Sequence, residues 1–86
     1  MIIYIDIDDT LIRTIGSKII PIPDTVNFIK NCNTNKNEIY LWSRGGAQYC
    51  KNIAIKLLLD HKITGYLPKP NLIIDDTELR SGMIYQ

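Results

Sequence analysis

Ile2-Ile3-Tyr4-Ile5-Asp6-Ile7-Asp8-Asp9-Thr10 opens the chain: an apolar, largely β-branched run that ends in acid. The pattern returns near the other end as Leu72-Ile73-Ile74-Asp75-Asp76. A short, unbroken apolar run reads as a buried strand of a parallel sheet. Open parallel sheets bind ligands outside the carboxyl ends of their strands, so both acidic clusters are expected at one edge of one sheet. Carboxylates crowded together cannot all stay ionised without compensation. An oxygen-preferring divalent cation, Mg²⁺ first, is the natural remedy, and it points to phosphate chemistry.

The residues between the two clusters alternate strand and helix signals. Residues 11–22 carry Gly16-Ser17 between β-branched segments, which predicts a hairpin. Pro21 and Pro23 then hold the chain extended. Asp24 is the expected N-cap of a first helix, with Val26, Ile29 and Cys32 at helical spacing. The polar run 31–37 ends that helix. Glu38 to Trp42 reads as a second strand and delivers Ser43 at its carboxyl end. Gly45-Gly46 opens a second helix with Ala47, Cys50, Ala54, Leu57 and Leu58 as its apolar stripe, widened by Ile53. His61 and Lys62 are expected near its negative pole, and Gly65 as its stop. Tyr66-Leu67 suggests a short strand, Pro68-Lys69-Pro70 a rigid connector and residues 71–75 the last clear strand. Thr77 to Ser81 is expected as a helical turn and Met83 to Tyr85 as an edge strand. The alternation predicts a single α/β domain over residues 1–86, with right-handed crossovers.

Length and charge set the bounds. A chain of 86 residues allows one compact core and modest stability. Net charge is +1 with no basic stripe, so the nucleic-acid signal from charge alone is weak, and nucleic acid enters only as a substrate. Cys32 and Cys50 have neither disulfide nor metal spacing and read as core thiols. The amino terminus lacks a signal-peptide pattern, and no run approaches the roughly 20 apolar residues of a membrane span. A soluble, reducing, cytoplasmic setting is the expectation.

In chain order, the candidate functional residues are Asp6-x-Asp8-x-Thr10 after a strand, Ser43 after a strand, Lys69 between prolines, and Asp75-Asp76 after a strand. This order resembles the four motifs of the haloacid dehalogenase (HAD) superfamily of phosphohydrolases, and residues 11–22 resemble its flap hairpin. Each motif alone is weak; four in order, spread over nearly the whole chain, are far more specific. The run Leu41 to Gly46 resembles small bacterial and phage members. The resemblance implies a minimal Rossmannoid, three-layer fold and a Mg²⁺-dependent phosphatase. Asp6 would be the nucleophile that forms an aspartyl-phosphate. Asp8 would be general acid and then base, its carbonyl also binding the metal. Thr10 would fix the geometry of Asp8, and Ser43 would donate to a phosphate oxygen. Gly45 would let backbone approach the anion, and Lys69 would balance its charge. Asp75 would complete the metal shell set by Asp6 and Asp8, with Asp76 ligating directly or through water. Arg44 faces either solvent or substrate.

Two departures matter. Asp9 stands where the family commonly has glycine, and reads as a turn-forming side chain. Residues 11–22 and 62–70 are too few to hold a cap domain. A capless site suits a phosphate on a polynucleotide end or phosphoprotein, or a nucleotide where a neighbouring subunit roofs it. Exposed sheet edges in so small a unit favour a dimer or tetramer. Two other functions fit the same residue types: a receiver-like phospho-acceptor, disfavoured because its motifs come in another order, and a non-catalytic module that binds Mg²⁺ or phosphate.

Overall fold

In the computed structural model, which describes residues 1–76 and 79–81, the opening run forms strand β1 (Ile2–Asp6). A hairpin follows, β2 (Ile12–Ile15) and β3 (Lys18–Pro21), paired so that Ile15 faces Lys18 across Gly16-Ser17. Gly16 has φ +61°, the left-handed conformation that the first central position of a tight hairpin turn asks for. The hairpin expected from sequence is thus present.

Helix α1 spans Pro23–Asn31. It starts two residues earlier than expected: Ile22 is the N-cap, and Asp24 lies in the first turn. Pro23 explains the shift, since its fixed φ suits the first helical position and its missing N–H costs nothing there. Ile29 is buried, with Val26 and Cys32 packed beside it, as their spacing predicted.

Strand β4 (Glu38–Ser43) lies parallel to β1, with Ile3 opposite Ile39, Ile5 opposite Leu41 and Asp6 opposite Trp42. Helix α2 (Ala47–Lys56) buries Cys50, Ile53 and Ala54. Leu58 does not belong to its apolar stripe. The helix stops at Lys56, and Leu58 is turned outward, 76% exposed with φ +59°. His61 and Lys62 sit in a separate 3₁₀ turn, Asp60–Lys62. There Lys62 Nζ donates to the carbonyl of Cys32 at 3.0 Å, so it serves the carboxyl end of α1 rather than that of α2.

Gly65 begins strand β5 (Gly65–Pro68) instead of stopping a helix. A Cβ there would lie 3.0 Å from the ring of Tyr40, a tight contact that glycine avoids where β5 closes onto β4. The parallel sheet has the order β1-β4-β5, and its third strand is β5.

The run Leu72–Ile74 is a strand, β6, but not a buried strand of that sheet. It pairs antiparallel with β7 (Leu79–Ser81), and Leu72 and Ile74 are exposed. A parallel neighbour needs a crossover of a dozen or more residues, and only Lys69, Pro70 and Asn71 separate β5 from β6. Leu79–Ser81 is extended rather than helical; the rest of that expected turn, Thr77 and Glu78, and the edge strand Met83 to Tyr85 lie outside the described residues.

The core fills one face of the parallel sheet. Ile5, Ile39 and Leu41 point into it and meet Ile29 of α1 with Ile53 and Ala54 of α2. The result is a small mixed α/β fold with a short three-stranded parallel sheet and two helices. No described helix is long and apolar enough to cross a membrane.

Candidate functional site

The first acidic cluster owes its shape to a tight turn. The carbonyl of Ile7 accepts the N–H groups of Thr10, Leu11 and Ile12 at 3.3, 2.9 and 3.1 Å, and Asp9 N–H donates to Ile12 O at 2.8 Å. Asp9 takes φ +65°, a conformation that a short acidic side chain tolerates better than most. Ile7, Leu11 and Ile12 are fully buried and anchor this turn to the core. Asp6 ends β1, while Asp8, Asp9 and Thr10 are left exposed just beyond it.

The other two strands bring their own groups to the same edge. Ser43 ends β4 and is 2% exposed. Its Oγ accepts from Gly45 N–H at 3.0 Å, and its carbonyl accepts from Gly46 N–H at 3.1 Å and Lys69 N–H at 2.8 Å. A hydroxyl that accepts in this way keeps its proton for donation. Lys69 follows β5, and its Nζ stands 3.5 Å from Asp6 Oδ1 and 5.7 Å from the centroid of the Trp42 ring. The lysine side chain is 8% exposed and that of Asp6 34%. A nearly dry ammonium thus pairs with a one-third-open carboxylate at the carboxyl ends of parallel strands, the edge at which such sheets bind ligands.

Tyr49, in the first turn of α2, was not singled out by sequence. Its hydroxyl donates to Asp8 Oδ1 at 2.7 Å. Its ring lies against Gly45, where a Cβ would stand 2.8 Å from Tyr49 Cδ2 and 3.4 Å from Ser43 Oγ. Burial, followed by the bond to Asp8, pushes the Tyr49 phenol up to about 12. Burial also pushes the Cys50 thiol up to about 11, and the charges of Asp6 and Asp8 add to that shift. Both carboxylates therefore act on the start of α2. No short sequence signal marks Tyr49, because only the packing of α2 on the sheet turns it toward Asp8.

Asp6, Ser43 and Lys69 thus meet at one sheet edge, with Asp8 tied in through Tyr49. Gly45 is the close-packed residue between Ser43 and Tyr49, and Arg44 is exposed beside it. Asp75 and Asp76 are exposed residues after β6, outside the parallel sheet, so the sheet itself does not carry them to this edge. Among the described residues, no three His, Cys, Asp or Glu side chains group closely enough to hold a metal ion. Mg²⁺ needs fewer, since it keeps several waters and is commonly held by one or two carboxylates together with a substrate phosphate. The Asp6 carboxylate and the Asp8 backbone carbonyl are hard oxygen donors of that kind. Tyr49 uses one acceptor position of the Asp8 carboxylate, and a carboxylate offers about four, which leaves an oxygen for proton transfer.

No protein-family model, curated protein or solved structure matches this chain.

Proposed function

We propose that the chain is a Mg²⁺-dependent phosphomonoesterase of the HAD type that works through an aspartyl-phosphate on Asp6. The observation that carries this is the Asp6–Lys69 pair at the carboxyl edge of the sheet, bonded through the Lys69 backbone to the buried Ser43. On this reading the hairpin β2–β3 is the flap, and the sheet is a shortened, capless Rossmannoid domain whose two described helices share one face, so that it has two layers where the expectation was three. A cytoplasmic setting suits the two free cysteines.

A carboxylate oxygen of Asp6 attacks phosphorus, and the bond to the leaving oxygen breaks. Asp8 delivers a proton to that oxygen, then takes one from the water that attacks the acyl phosphate and releases inorganic phosphate. Lys69 offsets the charge gathered on the phosphoryl oxygens, and Ser43 donates to one of them. Tyr49 holds the carboxylate of Asp8 toward the leaving group. Bound Mg²⁺, held by Asp6 and Asp8, would supply further charge neutralisation.

The test is hydrolysis of p-nitrophenyl phosphate in Mg²⁺ by the wild type and by Asp6→Asn. Turnover in the wild type, reversible inhibition by a chelator and a loss of at least about a thousandfold in Asp6→Asn are the expected results. Undiminished turnover in Asp6→Asn at saturating Mg²⁺ refutes the proposal. Binding of phosphate with no hydrolysis by the wild type points instead to a non-catalytic module.

A further inference from the structure

The face of the sheet turned away from the core is aromatic. The β1–β4 register sets Tyr4 beside Tyr40 and Asp6 beside Trp42, and the period of two puts all four on one face. Tyr4 meets the Tyr40 ring at 5.4 Å and the Trp42 ring edge-on at 5.0 Å. Parallel sheets are ordinarily covered on both faces, yet Tyr4 is 49% exposed and Ile2 64%.

This aromatic cluster is continuous with the anion site. Lys69 Nζ touches both, 3.5 Å from Asp6 and 5.7 Å from the centroid of Trp42. Tyr4 stands two residues before Asp6 on the same face, roughly 6–7 Å back along the strand. That offset is comparable to the sugar that separates a phosphate from its base. Aromatic side chains stack on any base, because every base has a π-face. The small net charge and the lack of a basic stripe suit a ligand with one terminal phosphate rather than a long polyanion.

We propose that the sheet face built on Tyr4 seats the base of a phosphorylated nucleoside whose phosphate lies beside the Asp6–Lys69 pair, so that the substrate is a nucleotide, free or at the end of a single strand. The inference rests on the phosphatase reading for the position of the phosphate.

The test compares kcat/KM of the full chain in Mg²⁺ for adenosine 5′-monophosphate and for ribose 5-phosphate, which lacks the base. Wild type is expected to favour the nucleotide by about tenfold or more. Tyr4→Ala and Tyr4→Leu, the second keeping apolar bulk, are expected to erase the preference while turning over ribose 5-phosphate like the wild type. Equal rates on the two substrates, or a preference that survives both substitutions, overturn the inference and leave the phosphatase reading intact. If no monoester turns over, that reading fails separately, and the fluorescence of Trp42, the only tryptophan in the chain, decides. Quenching by the nucleotide but not by ribose 5-phosphate, lost in Tyr4→Ala, upholds base binding, and no quenching overturns it. A dimer in sedimentation that Tyr4→Ala dissociates assigns the face to a second copy and overturns the inference too. Faster turnover of a 5′-phosphorylated trinucleotide than of the mononucleotide identifies a strand end as the source, and the reverse a free nucleotide; both uphold it.

Discussion

The Tyr49 hydroxyl donates to Asp8 Oδ1 at 2.7 Å, although the two lie 41 positions apart in the chain. This bond fastens the start of α2 to the loop after β1, and it aims the carboxylate assigned to proton transfer. Tyr49→Phe is expected to lower kcat about tenfold with little change in KM, since the lost bond orients a group rather than binding substrate. The cost in stability at pH 8 is about 1 kcal/mol. Because the folded state holds the Tyr49 proton up to about 12 against 10.0 for the free phenol, the associated stability is complete below pH 10 and disappears as the pH climbs through about 12. Urea melts of wild type and Tyr49→Phe should therefore differ at pH 8 and converge toward pH 12. A gap that stays constant with pH would contradict this.

Lys69 is more than a surface charge. Its side chain is nearly dry and its partner carboxylate is about one-third open. Lys69→Met is expected to lower kcat/KM for an aryl phosphate by about 10²–10³-fold, the usual cost of removing a group aimed at developing charge. Stability should move by less than about 1 kcal/mol, because Asp6 remains partly hydrated. Parallel thermal melts and kinetics separate the two effects. A large fall in melting temperature with normal turnover would make Lys69 a structural ion pair.

The adjacent glycines of the Ser43 loop have different reasons to be glycine. A Cβ on Gly45 would stand 2.8 Å from Tyr49 Cδ2 and 3.1 Å from its Cγ, so Gly45→Ala must displace the ring that holds Asp8. Gly46 faces open space, but its φ of +98° with ψ 170° is a region that side chains rarely adopt. Each alanine should cost about 1–3 kcal/mol. The substitutions part company in kinetics: in Gly45→Ala the loss of turnover should resemble that of Tyr49→Phe, while Gly46→Ala should keep kcat at temperatures where it is folded. Matching kcat values for the two alanines would show that Tyr49 is not the route.

How much was legible from sequence depends on whether an element is specified by neighbours in the chain. β1, the hairpin and β4 follow from apolar runs and a Gly-Ser turn; Asp6 and Ser43 are legible because each sits at a strand end, and Lys69 because it lies between two prolines. The short strand expected at Tyr66-Leu67 is present as β5 and is the third strand of the sheet, because α2 and the 3₁₀ turn supply its crossover; Leu72–Ile74, the more apolar run, has only three connecting residues and stays out of that sheet. The length of that connector was visible in the sequence. Tyr49 was not legible, because its meeting with Asp8 depends on how α2 rotates against the sheet. The end of α2 was lost for a related reason: Leu57 and Leu58 extend the apolar period, but the chain leaves the helix to pack Leu59, which is fully buried.

Leu58 carries the cost of that exit. It occupies the left-handed region at φ +59°, where a side chain other than glycine or asparagine costs about 1–2 kcal/mol. At 76% exposure it regains little from packing. Its N–H donates to Ile55 O at 3.1 Å, and Leu59 N–H donates to Ala54 O at 2.9 Å, so the backbone of the exit is well bonded and only the side chain is out of place. Leu58→Gly should relieve the strain, lose part of the gain to unfolded-state entropy, and stabilise by about 0.5–1 kcal/mol net. For a domain of this size that corresponds to a rise of roughly 2–8 °C in the thermal midpoint. The substitution lies outside the Asp6–Lys69 edge, so turnover should be unchanged. A lowered midpoint would mean that Leu58 contributes more by packing than its exposure allows.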